Sequence, residues 1–419
     1  MSTPTAVSRL ADGLHLCNDI AGRVLASQDA VPYGSTLRVA VLYREATGWA
    51  ALAAFMRMFT RSLDLVAKER NLELGILAPR DESGKHAVPQ HLPGRRWFML
   101  PASGGRGALE ASAAHHDIHV VIELFGTPPQ IPGVGVVSWI TDFQHLHLPQ
   151  FFTTQEYKDR EENFQQRAQN SNFILLSSQA AKTDYDATLS HASEKAWVAP
   201  FPSSLVFEEL PSGEPRDIVR QYHLPEKFLL VANQYWAHKN HGVVIEALGK
   251  LAAEGVRIPA VFTGLPSDYR DPSNAPTSRI LQSIAQQGLA GQVVPLGQVP
   301  FAHLQQLMRC AALVIQPSRF EGWSTVVQDI KALGRPLMCS DLPVHREQAP
   351  MALGHFGCDA PEALATYLRS HWPHLAAGPD LAQESRSLAA ERAFAHTYGL
   401  RLADLCRRAF EVATTRRPA

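Results

Sequence analysis

The chain has 419 residues, 45% of them hydrophobic and 19% charged, and a formal net charge of −1. That length allows two or three domains with a sizeable core, and the balance excludes a disordered chain. A charge so near zero provides no overall field for nucleic acid or an acidic membrane, so neither is an expected partner by bulk charge.

Cys17, Cys310, Cys339, Cys358 and Cys406 are odd in number and form no C-x-x-C. Free thiols in a reducing compartment fit this better than a disulfide framework. No apolar run reaches the length of a signal h-region near the N-terminus or of a membrane span elsewhere, so a cytoplasmic protein is expected.

In chain order, β-branched runs predict strands over 37–43, 72–78, 119–125, 135–140, 172–178 and 195–201. A second series follows at 228–233, 259–264, 292–297, 311–316 and 336–340. Continuous rather than alternating runs read as strands buried on both faces of a parallel sheet, with helical crossovers between them. The Pro-, Ser- and acid-rich stretch 201–217 marks a boundary between two doubly wound α/β domains of similar size. A ligand is expected in a cleft between them, outside the carboxyl ends of the strands. The domains are placed at 1–205 and 206–395, with a last helix at 396–419 that has the option of packing back on the first.

In the first domain Gly48 falls between a strand and a helix, where a missing side chain lets backbone approach either a ligand or the neighbouring element. Asp142, His145 and His147 follow the strand at 135–140. Their H-x-H spacing invites a metal, but no further ligand completes a zinc pattern, and none is expected. One histidine serving the cleft, with the other packed or solvated, is the simpler reading.

Two helix starts in the second domain seek an anion. In "NQYWAHKNHGVVIEAL" (233–248) the stripe Val243, Val244, Ala247 and Leu248 predicts a helix. His238, Lys239 and His241 crowd its positive end, an unfavourable place for a cation unless an anion intervenes. In "RFEGWSTVVQD" (319–329) a strand, a glycine turn and a helix meet at Gly322–Thr325. Thr325 is expected as N-cap, with Gln328 completing a capping box. Amide groups and the helix dipole would converge there on a phosphate. Glu321 and Asp329, one on each side, would then accept hydrogen bonds from hydroxyls. The same residues read equally well as a capped helix whose carboxylates favour its dipole.

The segment "PSRFEGWSTVVQDIKALGRPLMCSDLPVHREQ" (317–348) resembles the E-x7-E region of the retaining glycosyltransferases of family 4. "NQYWAHKNHGVVIEAL", "FTGLPSDYR" (262–270) and "LGQVPFAHLQQLMRCAALVIQPS" (296–318) extend the likeness over most of the second domain. "DFQHLHLPQFF" (142–152) is similar to a bacterial branch that builds surface polysaccharides.

The resemblance implies the GT-B fold, two Rossmann-like domains facing a central cleft. It implies a nucleotide-diphosphate sugar as donor, GDP-mannose first, and a glycan or lipid-linked glycan as acceptor. It also implies no metal or other cofactor, and a cytoplasmic location with peripheral inner-membrane association as an option. Catalytic roles would fall to His145, beside the reacting sugar, Lys239, on the leaving diphosphate, and Glu321, on sugar hydroxyls. Gly48, Asn233 and Gly264 would join the donor site, as would Gly322, Trp323, Ser324 and Thr325, with Asp329 on the ribose.

Two departures stand out. Position 329 is Asp rather than Glu, and Asn233 stands where an arginine is common. Compensation by His238 and His241 is the expectation at the second. A nucleotide-sugar epimerase on the same fold and a non-catalytic binding protein are the alternatives.

Overall fold

A computed structural model of the protein describes residues 35–43, 50–78, 92–98, 106–268, 270–271 and 273–415. Gly48 and Cys17, singled out above, lie outside them. The chain forms two compact units. One comprises the described residues up to Glu208 together with those from Glu391 onward, and the other runs from Glu209 to Ala390. The division at 208/209 falls inside the Pro-, Ser- and acid-rich stretch.

The first unit holds β1 (Leu37–Leu42), β2 (Leu72–Ala78), β3 (Arg95–Phe98), β4 (Val120–Glu123), β5 (Gly135–Trp139), β6 (Phe173–Leu176) and β7 (Ala196–Val198). They form one sheet in the order β3-β2-β1-β4-β5-β6-β7, parallel throughout. The runs "LRVAVL", "VVIE" and "FILL" are apolar along nearly their whole length because helices cover both faces, as parallel sheets require.

The second unit holds β8 (Leu229–Ala232), β9 (Ala260–Thr263), β10 (Val293–Gly297), β11 (Leu313–Gln316), β12 (Leu337–Ser340) and β13 (Gly354–Phe356). Their order is β10-β9-β8-β11-β12-β13, again all parallel. Its core joins Leu229, Val231, Phe262, Leu313 and Ile315 of the sheet to Val244 and Leu248 of the helix His241–Ala253. The topology reverses between β8 and β11, and in open α/β sheets ligands bind at the carboxyl end of such a switch point.

Every strand expected from the sequence is present. The two it does not reveal, β3 and β13, are both outermost in their sheets and only four and three residues long. Edge strands tolerate charged residues and glycine, so "RRWF" and "GHF" carry no strong apolar signature. No helix among the described residues is long and apolar enough to cross a membrane.

The last helix, Leu381–Thr415, serves both units in turn. In the second, Glu384 takes a two-pronged ion pair from Arg309 at 2.8 and 2.9 Å, both side chains being buried. In the first, Glu391 accepts from the Ser203 amide at 2.7 Å, and Arg401 donates to the Val198 carbonyl at 2.8 Å. Gly399 lets the helix lie directly on backbone, for a Cβ there would sit 2.1 Å from the Ser62 carbonyl oxygen.

Two glycine substitutions should therefore act with opposite sign. Alanine favours a helix interior by ~1 kcal/mol over glycine, but at 399 the backbone clash outweighs this, because overpacking costs ~1–3 kcal/mol. Gly399→Ala should lower the thermal midpoint. Gly242→Ala, where an added Cβ meets nothing within 4 Å, should raise it slightly. Thermal denaturation followed by circular dichroism checks both.

Candidate active site

The switch point of the second unit is occupied by polar side chains. Asn233 follows β8, and its Nδ2 donates to Oε1 of Gln316, the last residue of β11, at 2.9 Å. Gln316 is fully buried and in turn donates through Nε2 to Glu321 Oε1 at 2.8 Å. The same carboxylate oxygen receives the Lys239 ammonium at 2.6 Å. Both charged side chains are largely buried, with 15% and 10% exposure.

Lys239 reaches this point because the turn carrying it is tied down. The segment Ala237–Lys239 makes one 3-10 turn, and Asn240 follows in the left-handed region at φ 55°. Asn240 Nδ2 donates to the carbonyls of Pro317 and Cys358, at 3.2 and 2.8 Å. The Arg319 amide donates to the His238 carbonyl at 2.8 Å. Gly264 completes the floor: a Cβ there would lie 2.0 Å from the Asn233 carbonyl oxygen, so only glycine lets β9 end so close to the β8 turn.

The helix Thr325–Ala332 begins one residue earlier than a Thr325 cap would require. Ser324 is the N-cap, extended at φ −86° and ψ 114°, with Oγ accepting from the Val327 amide at 3.3 Å. The reason is Gln348, whose side-chain amide grips Ser324 on both backbone groups. Its Oε1 accepts from the Ser324 amide at 3.1 Å, and its Nε2 donates to the Ser324 carbonyl at 2.7 Å. Gln348 also takes Gln328, at 3.2 Å, so the expected capping box does not form.

The Ser324 N–H is thereby spent. The amides of Thr325 and Val326, in the exposed first turn, donate to no acceptor among the described residues. These two, with the helix dipole behind them, remain available to an anion. Gly322 and Trp323 line the half-buried loop before the helix, and Asp329 lies buried one turn in.

Burial works against a positive charge on His238 and His241, the pair expected to compensate for Asn233. Burial, and then Lys239 nearby, hold the His241 imidazole at a pKa of about 3. Burial, then Lys239 and Arg270, hold His238 well below the usual histidine range. The additional cation in this neighbourhood is Arg270. Its guanidinium lies 3.1 Å from His238 Nδ1, 3.2 Å from Asp268 Oδ1 and over the Trp236 ring. It is the arginine of "SDYRD", in the loop after β9. The sequence signal for Gln316 was a lone amide closing the apolar run "LVIQ". For Gln348 there was none, because its partner is 24 residues away.

His145 belongs to the other unit, beyond the carboxyl end of β5. It is fully buried, with Nε2 2.7 Å from Glu161 and Nδ1 accepting from Arg160 Nε at 3.3 Å. A guanidinium only donates, so Nδ1 is the acceptor and Nε2 carries the proton. Burial lowers the ring's pKa despite Glu161, which keeps it neutral. Arg160 also holds Asp142, at 2.5 Å. Burial alone would raise that carboxyl, but Arg160, the Gln144 amide and the Thr141 hydroxyl outweigh it and hold it low.

His147 instead pairs with Asp184 at 2.9 Å. The H-x-H histidines thus turn to different carboxylates. Among the described residues, no three His, Cys, Asp or Glu side chains form a group able to hold a metal.

Residues 217–370 match the family described as glycosyl transferases group 1. No curated protein sequence matches the chain. Among solved structures, it is similar to Anabaena Alr3699/HepE in complex with UDP, at 15% identity over 90% of this chain and 100% of that one, with a TM-score of 0.59. It is similar to sucrose-phosphate synthase from Thermosynechococcus elongatus, at 15% identity over 91% and 97%, with a TM-score of 0.56. It is also similar to WaaG, a glycosyltransferase involved in lipopolysaccharide biosynthesis, at 16% identity over 90% and 100%, with a TM-score of 0.53. With the two parallel sheets, these likenesses establish the fold as GT-B.

The buried neutral histidines predict a pH dependence of stability. An unfolded histidine titrates near 6.5, whereas His241 stays neutral to about 3 and His345, also buried, to about 4. Below pH 6.5 the unfolded chain binds more protons, so stability is complete above that value and is lost as pH falls. Each such group adds up to ~1.4 kcal/mol per pH unit to the slope. The thermal midpoint should fall from pH 7 to pH 5, and less steeply in His241→Phe than in the wild type.

Proposed function

We propose that the protein is a retaining, metal-independent glycosyltransferase. It transfers a hexose from a nucleotide-diphosphate sugar to a glycan or lipid-linked glycan acceptor in surface-polysaccharide synthesis, on the cytoplasmic side of the membrane. The observation that carries this reading is Lys239, Glu321 and the two open helix amides gathered at the switch point of a unit that matches glycosyl transferases group 1. A structural neighbour that holds UDP supports a nucleotide guest.

In the reaction the anomeric carbon–oxygen bond to the diphosphate breaks and a bond to the acceptor oxygen forms. The acceptor's proton passes to the leaving phosphate oxygen on the same face. Lys239 and the amides of Thr325 and Val326 offset charge on the departing diphosphate, and Glu321 holds sugar hydroxyls. Asp329 and Gly264 border the nucleotide. The helix amides are in place before the donor arrives and offset charge with little reorganisation, whereas Lys239 first exchanges Glu321, bonded at 2.6 Å, for the diphosphate. His145, with both ring nitrogens engaged, contributes by holding the 142–147 segment in shape.

The test is a donor screen by thermal shift, including UDP-glucose and GDP-mannose with chelator present, followed by transfer assays. A tight donor raises the midpoint by mass action. Lys239→Ala and Glu321→Gln should each lower kcat by ~100-fold, the scale of one transition-state contact. Near-normal turnover in either variant removes that residue from the mechanism. Conversion of donor alone into an isomer would replace transfer by epimerisation.

A further inference from the structure

Gln316 carries chemistry that neither strand packing nor the ion pair requires. Its orientation is forced. A carboxylate only accepts, so the side of the amide facing Glu321 at 2.8 Å is the nitrogen. The same nitrogen lies 3.1 Å from Ser318 Oγ. The carbonyl side must then face Asn233, so Asn233 presents its own Nδ2 to it, at 2.9 Å. One N–H of Asn233 is committed, and its Oδ1 accepts no hydrogen bond among the described residues. The relay is braced behind by Ser340, whose hydroxyl donates to the Ser318 carbonyl at 2.5 Å and lies 3.1 Å from His345 Nδ1.

We propose that Gln316 is a positioning residue: it holds Glu321 against Lys239 and turns Asn233 so that a carbonyl oxygen is what position 233 offers the bound donor. This rests on the nucleotide-sugar reading above. An acceptor oxygen repels phosphate, so through Oδ1 Asn233 meets a hydroxyl of the donor's sugar, with its second Nδ2 hydrogen as a further donor beside it.

The groups that face the relay include Lys239, Glu321, His345 and Cys339, with His241, held neutral to about 3, against Asn233. Burial holds His345 at about 4 and pushes the Cys339 thiol well up, so neither titrates between pH 6 and 8.

Three measurements decide the proposal. Gln316→Glu sets a second carboxylate against Glu321. As pH falls from 8 to 6 the two share a proton, which restores donation to Glu321 and acceptance from Asn233. Its thermal-midpoint deficit relative to wild type should therefore shrink over that range in the ligand-free protein. An equal deficit at both pH values overturns the relay.

With a donor that the wild type uses, Gln316→Leu should lower kcat at least tenfold and raise KM by no more than the ~3–10-fold of losing the Asn233 contact. A rise in KM alone overturns the positioning role. Asn233→Ala should weaken the intact nucleotide sugar by ~3–10-fold, the scale of one hydrogen bond, and leave the free nucleoside diphosphate unchanged. Equal loss for both overturns the hydroxyl assignment. If the wild type binds no nucleotide sugar, the functional reading and the hydroxyl assignment fall together, while the pH comparison still decides Gln316.

Discussion

An ammonium and a carboxylate meet at 2.6 Å where the second sheet reverses its strand order. Neither group can be removed alone without leaving an uncompensated, largely buried charge. The pair therefore fixes two loops at once, the turn after β8 and the loop after β11. It holds the cation in the same unit as the open amides of a helix start. An arriving diphosphate would compete with Glu321 for Lys239, and a carboxylate so displaced is in the right place for sugar hydroxyls.

The surroundings of this pair are polar yet carry little further charge. Amides from Asn233, Gln316 and Gln348 do the orienting, through bonds of 2.7–3.2 Å. The buried histidines stay neutral because an imidazolium there would face both desolvation and Lys239. Arg270 is already engaged with Asp268.

The unit containing His145 follows a different logic. Its ring is enclosed by Phe152, Tyr157 and Phe164 and bonded on both nitrogens. Arg160 links the ring to Asp142, so the whole segment after β5 is a single hydrogen-bonded block. Close packing of the last helix on backbone at Gly399 and Gly135 gives that unit a rigid frame.

The sequence by itself determined the two parallel sheets, because runs such as "LLVA" and "LVIQ" are apolar along both faces and can be stable only when covered on both. It determined the helix at 325, through the stripe Val326, Val327 and Ile330 and the glycine stop at 334. It brought Lys239 and Glu321 forward as candidates, one as a cation crowding the positive end of a helix and the other as a carboxylate beside a second helix start. Tertiary structure alone decided their partnership, the move of the cap from Thr325 to Ser324 and the neutrality of the histidines. Gln316 and Asn233 are 83 residues apart, and Gln348 reaches Ser324 from another helix. Local propensity is blind to such pairs: which donor meets which acceptor depends on how strands far apart in the chain are brought side by side.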